Sequence, residues 1–144
     1  MPPAIQHDHK GLTRQEFEEL KTKALEARDL SYSPYSKFRV GCCILTNSGK
    51  YFQGANVENA SYGASICAER TTICSAIIQK EKSFKAIGIS SDLEEVITPC
   101  GICRQFIREF GKTIPIYMFK SNGDFIKMSL EEILPLSFGP EQLS

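Results

Sequence analysis

The strongest limit on what this chain can fold into is its repeated change of hydrophobic period. Thr13-Arg14-Gln15-Glu16 is a capping box, and Phe17, Leu20, Ala24 and Leu25 follow at helical spacing. This predicts a helix ending near Leu30, before the Ser33-Pro34 turn. Phe38 to Thr46 reads as a strand, Asn47-Ser48-Gly49-Lys50 as a turn, and Tyr51 to Val57 as the return strand of a hairpin. A second helix is expected from about Ile66 to Lys80, with Ile66, Ile73, Ala76 and Ile77 as its apolar side. Phe84 to Ser90 reads as a strand. A third helix starts near Cys100, carries Ile102, Phe106, Ile107 and Phe110, and stops at Gly111. Ile114 to Lys120 and Phe125 to Met128 are strands around a Ser-Asn-Gly-Asp turn, and Ser129-Leu130-Glu131-Glu132 opens a short last helix.

The resulting order, α-β-β-α-β-α-β-β-α, calls for a mixed sheet with helices on both faces. The expected class is α/β, a three-layer α/β/α sandwich on a mixed five-stranded sheet. A length of 144 residues suits one core, so residues 12–144 are expected to form one domain behind a loose tail at 1–11. His7 and His9 lie in that tail and read as solvated residues rather than ligands.

Seventeen basic residues balance seventeen acidic ones, and no Lys/Arg cluster marks a nucleic-acid footprint. A small substrate is expected, with no nucleic-acid partner. No apolar run approaches the ~20 residues of a membrane span, and Met1 to Lys10 lacks a signal-peptide core. A cytoplasmic, reducing location is therefore expected, where six cysteines serve as thiols or metal ligands rather than disulfides. Cys42 and Cys43, adjacent on a strand, face opposite sides and read as small core residues.

Cys100-x-x-Cys103 places two thiols on the first turn of a helix. Alone, the pair suits a redox dithiol or half of a structural zinc site equally well. Cys67, with Glu69 two residues on, starts the preceding helix. That helix runs ~22 Å and the next strand returns ~23 Å, so the chain comes back to the end where it began. Both helix N-termini then meet, with Cys67 facing Cys100 and Cys103. Three thiolates together repel one another unless a cation joins them, and zinc favours such ligands. Three protein ligands leave the fourth position open, as in catalytic sites. Cys74 lies two turns down its helix, ~10 Å from Cys67, which is too far to close the shell.

Three thiolates also leave an excess negative charge, which opposes ionisation of a bound water. The two helix N-termini offset part of it. Arg70 or Arg104 could supply the rest, with Arg70 favoured. Beside activated water, Glu69 suits a general base that later acts as an acid.

Cys67-Ala68-Glu69-Arg70 with Pro99-Cys100-Gly101-Ile102-Cys103-Arg104-Gln105 resembles the cytidine deaminase family, whose zinc-deaminase signature allows three cysteines and keeps the glutamate off the metal. The resemblance spans about Leu12 to Leu143. It takes in Ser33-Pro34-Tyr35-Ser36-x-Phe38-x-Val40-Gly41, Gly54-x-Asn56-x-Glu58-Asn59-Ala60-Ser61-Tyr62 and Ser137-Phe138-Gly139-Pro140-Glu141. A cysteine at the first ligand position is similar to the small branch that acts on free nucleosides. The resemblance implies one Zn²⁺ per subunit and hydrolytic deamination of cytidine and 2′-deoxycytidine to uridine and 2′-deoxyuridine with release of ammonia, a step of pyrimidine salvage. It implies that Glu69 takes the water proton, protonates N3 and assists the departing ammonia. Asn56 and Glu58 would bind the sugar 3′-hydroxyl, a task that suits an amide and a carboxylate at i and i+2 of an extended segment. Phe38 would pack on the pyrimidine, and backbone groups of Ala68 and Pro99 would meet the base edge or the leaving amine. The resemblance also implies a homotetramer with shared sites, Tyr62 and Phe138 entering a neighbour's site.

Other readings of the same residues are a relative acting on a nucleoside-like antibiotic or on a cytosine in nucleic acid, a non-catalytic zinc module, and a redox dithiol at Cys100 and Cys103.

Overall fold

A computed structural model describes residues 11–144. The expected tail, with His7 and His9, lies outside the described residues apart from Gly11. The capping box at Thr13 forms as expected, with the Thr13 Oγ1 accepting from the Glu16 amide at 3.0 Å and the Glu16 carboxylate accepting from the Thr13 amide at 2.9 Å. It opens α1 (Arg14–Glu26), which continues as a 3-10 turn over Ala27–Leu30. The hairpin β1 (Val40–Thr46) and β2 (Tyr51–Ala55) follows, then α2 (Ala68–Ile78), β3 (Phe84–Ser91), α3 (Gly101–Arg108), β4 (Pro115–Phe119), β5 (Phe125–Ser129) and α4 (Leu130–Ile133).

The five strands form one sheet in the order β2-β1-β3-β4-β5. β3 and β4 are parallel and the other pairs antiparallel, so the sheet is mixed. The parallel pair is joined through α3, the crossover that parallel strands require. Helix α1 covers one face, where Leu20 and Ala24 meet Cys43, Leu45, Tyr117, Phe119 and Phe125. Helix α2 covers the other, where Ala68, Ile73 and Ala76 meet Cys42, Ile44, Ile87, Ile89, Ile107 and Met118. The alternation of strand side chains sends Cys42 and Cys43 into these two separate cores, and the three-layer expectation holds.

Two features of the first strand and second helix differ from the periodicity. The strand begins at Val40 rather than Phe38, because the Phe38 carbonyl and the Arg39 amide are taken by the side chains of Asn56 and Asp92 instead of a neighbouring strand. Helix α2 begins at Ala68, so Ile66 belongs to an extended segment bridged to Val57. Ile66 and Ile77, expected inside, are partly exposed. On α3 only Ile107 of the predicted stripe is fully buried. Ile102 is 65 % exposed, because α3 turns its Cys103–Ile107 face to the sheet and leaves Ile102 and Phe106 on the flank.

Candidate active site

Two helices start side by side, and each starts on a cysteine. Cys67 is the N-cap of α2 and Cys100 the N-cap of α3, both extended, and neither thiol is used to cap its own helix. Their sulfurs stand where the free first-turn amides and the positive dipole ends converge. Cys103 is one turn into α3 and fully buried. The three Sγ atoms lie within 4.8 Å of one another, and Cys67 and Cys100 are 3.8 Å apart. A tetrahedral zinc with bonds of ~2.3 Å needs sulfurs ~3.8 Å apart, so the spacing fits that ion. Cys74, exposed further along α2, is outside the cluster.

Close packing sets α2 in place. A Cβ on Gly54 of β2 would collide with the Thr72 hydroxyl and backbone, so the glycine lets the first turns of α2 lie directly on the strand. The Thr72 hydroxyl is already committed to the Ala68 carbonyl at 2.7 Å.

Of the two arginines that could balance thiolate charge, Arg70 reaches the cluster, its Nη2 donating to Cys67 Sγ at 3.4 Å. Arg104 turns away and donates to the carbonyls of Pro99 (2.7 Å) and Ile133 (2.8 Å). The Cys67 thiol is drawn down to about 5, first by its hydrogen bond with Cys103 and then by those with Arg70 and Cys100. Cys103 is pushed up in return, chiefly by the same bond to Cys67. Arg70 is held firmly charged, above all by Cys67. The guanidinium of Arg70 thus favours the thiolate form of Cys67.

Glu69 is only 4 % exposed. Burial raises its carboxyl to about 7, and the neighbouring Cys67 adds to the rise. It stands in the floor of a cavity of about 410 Å³ together with Cys67, Ala68 and Cys100. Ile89, Ile97 and Val40 make apolar walls, and Asn56, Glu58 and Tyr62 form the rim.

Asn56 and Glu58 do line one cavity, as their spacing suggests, but each also carries part of the rim. The Asn56 Oδ1 accepts from the Ser31 hydroxyl (2.6 Å) and the Val40 amide (3.0 Å), and its Nδ2 donates to the Phe38 carbonyl (2.9 Å). One amide hydrogen is left for a ligand. Glu58 Oε1 accepts from the amides of Tyr35 (3.1 Å) and Ser36 (3.2 Å), leaving Oε2. The Ser36 side chain leads in holding Glu58 below the usual carboxylate range, and the amides of Ser36 and Tyr35 add to it.

Phe38 is half-buried and is not among the cavity-lining residues; Val40 stands there instead. Tyr62 lines the rim, 64 % exposed, with Tyr35 beside it. Phe138 sits elsewhere, 56 % exposed against the far flank of α3. Pro99 is buried and its carbonyl already accepts from Arg104, so one lone pair remains for a base edge. Ser36 and Val40 fall in the motif at Ser33 to Gly41 but have no assigned role in the sequence, and Thr98, Ile89 and Ile97 are not site candidates there; of these three, only Ile89 carries a signal, its place in the apolar strand Phe84 to Ser90.

Residues 14–118 match the family model described as the cytidine and deoxycytidylate deaminase zinc-binding region. The chain is similar to a probable cytidine deaminase of Dictyostelium discoideum, 43 % identical over 92 % of this chain and 90 % of that protein. It is 38 % identical to a cytidine deaminase of Sporosarcina psychrophila, over 90 % of this chain and 96 % of that one. The crystal structure of cytidine deaminase from Burkholderia pseudomallei superposes with a TM-score of 0.82 at 40 % identity, covering 88 % of this chain and all of that one. With its three-thiol cluster at paired helix ends and a buried glutamate beside it, the chain belongs to the cytidine and deoxycytidylate deaminase family.

Proposed function

We propose that the chain is a zinc-dependent enzyme that hydrolyses cytidine and 2′-deoxycytidine to uridine and 2′-deoxyuridine, releasing ammonia. The observation that carries this reading is Glu69, buried beside the open three-thiol cluster in a cavity sized for a small ligand. Cys67, Cys100 and Cys103 would hold the zinc, which when bound makes water acidic enough to ionise near neutral pH. Glu69 holds a proton poorly enough to release it and well enough to take it, since burial sets its carboxyl at about 7. It accepts the proton of the attacking water, delivers it to N3 of the pyrimidine, and helps the C4 amine leave as ammonia. One water enters and one ammonia departs.

Arg70 offsets the thiolate charge through its contact with Cys67. Val40, Ile89 and Ile97 keep bulk water from the base. The remaining amide hydrogen of Asn56 and the free oxygen of Glu58 bind the sugar, and backbone groups of Ala68 and Pro99 address the base. Phe38, expected against the pyrimidine, does not line the cavity and contributes through its carbonyl, which accepts from the Asn56 side chain and so fixes that side chain at the rim.

The working form we propose is a homotetramer, with Tyr62 and Phe138 entering neighbouring sites. Tyr62 at the cavity rim and Phe138 beside α3 lie apart, and both are largely exposed, which supports each meeting a different neighbouring copy. Equal numbers of acidic and basic residues favour a free nucleoside over a nucleic acid. Among the described residues no helix is long and apolar enough to cross a membrane. We place the single domain at 12–144 in the cytoplasm, in pyrimidine salvage.

Purified protein incubated with cytidine should release ammonia and uridine in equal amounts, and a zinc chelator should stop both. Zinc-replete protein that leaves cytidine and deoxycytidine unchanged would overturn the proposal. Its solution mass should be four times that of the chain; a fully active monomer would remove the shared site.

A further inference from the structure

The largest side chain shut away from solvent is charged: Arg108, at the end of α3, is 1 % exposed. A guanidinium does not give up its proton, so its burial demands partners. All of those shown lie in the C-terminal segment. Arg108 Nε donates to Ser137 Oγ at 2.8 Å, and Nη1 and Nη2 donate to the two oxygens of Glu141 at 3.2 and 2.7 Å. This is the forked pairing that fixes a carboxylate in direction as well as distance. Between those partners lies Gly139, whose missing Cβ lets the backbone rest on the guanidinium; a Cβ there would collide with it. One turn back on the same helix, Gln105 Nε2 donates to the Phe138 carbonyl at 3.0 Å. The Gly139 amide donates to Gln142 Oε1 at 2.7 Å.

The segment on both sides of Phe138 is therefore held through the side chains of Ser137 and Glu141 and the backbone of Phe138 and Gly139, yet the Phe138 ring is mostly in solvent. Leu136 and Leu143 are exposed as well, so no large apolar side chain anchors the segment. Buried charge and directed hydrogen bonds hold it in place. Ordering a backbone costs about 1–2 kcal/mol per residue. A segment ordered this way around an outward aromatic is built to present that ring, not to bury it. The helix that holds this backbone also carries Cys103 and starts on Cys100, so the segment that bears the ring is tied to the element that builds part of its own chain's thiol cluster.

We infer that Arg108 and Glu141 are positioning residues that aim the ring of Phe138 into the nucleoside site of a second copy of the chain. This rests on the shared-site reading above and adds the device that holds the shared residue. Glu141 is suited to removal, because its side chain is 53 % exposed.

The test uses the zinc-loaded full chain, with cytidine as substrate and with zinc content and solution mass measured beside the kinetics. Glu141→Ala should raise KM about three- to tenfold, the scale of one aromatic contact. Its kcat should stay within about twofold, and zinc content and mass should not change. Phe138→Ala should raise KM by at least as much. The double variant Phe138→Ala/Glu141→Ala should match Phe138→Ala alone, because the clamp acts only through that ring. Glu141→Gln, which keeps an oxygen acceptor, should fall between wild type and Glu141→Ala. Gly139→Ala, which displaces the guanidinium from the other side, should repeat the KM effect. If Phe138→Ala leaves KM unchanged, the shared-site reading fails and takes this inference with it. If Phe138→Ala raises KM but Glu141→Ala does not, or the two effects multiply, the positioning role alone is overturned. Dissociation of the Glu141→Ala protein into smaller species also overturns it, in favour of a role in assembly.

Discussion

Two glutamates face the same cavity and are treated in opposite ways. Glu69, in the floor, is almost sealed from water, and burial lifts its carboxyl to about 7. Glu58, on the rim, accepts two backbone amides and is held below the usual carboxylate range, with Ser36 as the leading cause. Opposed environments divide one side-chain type into two roles. The floor group can exchange a proton at neutral pH. The rim group favours its charged form and is fixed in place by two amides.

The two regions are also built differently. The floor is assembled from helix starts, with Cys67 and Cys100 at N-caps and Cys103 one turn on. The rim is a strap, Ser31 to Val40, that has little regular structure and is tied by side chains from distant parts of the chain. Asn56 holds Ser31, Phe38 and Val40, Glu58 holds Tyr35 and Ser36, and Asp92 holds Arg39. Damage to the floor should therefore appear in chemistry and metal, and damage to the rim in substrate binding and stability.

The sharpest way to separate them is Glu69→Gln, which keeps the shape of the floor and removes its carboxyl group. Turnover should fall by about 10² to 10⁴-fold while zinc content stays at one per chain. Normal turnover in the zinc-replete variant would end the assignment of Glu69 as proton carrier.

pH titration of the metal-free protein should show the two glutamates acting in opposite directions. Glu69 binds its proton more tightly folded than unfolded, so its stabilising effect is complete below pH 4.5 and is lost as pH rises through about 7. The loss is on the order of 3 kcal/mol, and Glu69→Gln should abolish it. Glu58 has a lowered folded value, so its contribution is present above pH 4.5 and lost as pH falls through that lower value. Denaturant midpoints at pH 5 and pH 8, for wild type and Glu69→Gln, measure the first effect. An unchanged wild-type difference in Glu69→Gln would rule out this source.

Asn56→Ala should release the strap. It leaves the Val40 amide and Phe38 carbonyl without their partner, for a loss of about 2 kcal/mol. KM should rise more than kcat falls. The smallest effect is expected at the outer tie, where Arg39 is paired with Asp92 and Asp29 at the surface. Asp92→Ala should cost less than about 1 kcal/mol and lose its effect in high salt. A larger, salt-independent loss would mean that the strap depends on its outer end as much as on Asn56.

Much of the floor was readable in the one-dimensional chain because its information is local. Capping boxes at Thr13 and Ser129, hairpin turns and the Cys-x-x-Cys spacing all act within one or two helical turns. The meeting of Cys67 with Cys100 and Cys103 followed from matching a helix length to a strand length. Periodicity went astray where a residue's neighbours are not its sequence neighbours. Ile66 and Ile102 fit apolar stripes but stand partly or largely exposed, because the helix began later or turned another flank to the sheet. The rim resisted for the same reason. Nothing local to Asn56 says that its side chain will substitute for strand hydrogen bonds at Phe38 and Val40.

The amino-acid order alone carried the α/β alternation, the cysteines near the starts of two helices and the glutamate two residues after the first of them, since each depends on short-range backbone geometry. Tertiary structure alone decided which arginine meets a thiol, how far Glu69 is cut off from water, and what Arg108 holds. Arg70, Arg104 and Arg108 look alike in the chain. One contacts Cys67, one binds two carbonyls, and one is buried against the C-terminal segment. The choice among them rests on desolvation and long-range pairing, which exist only once the layers are packed.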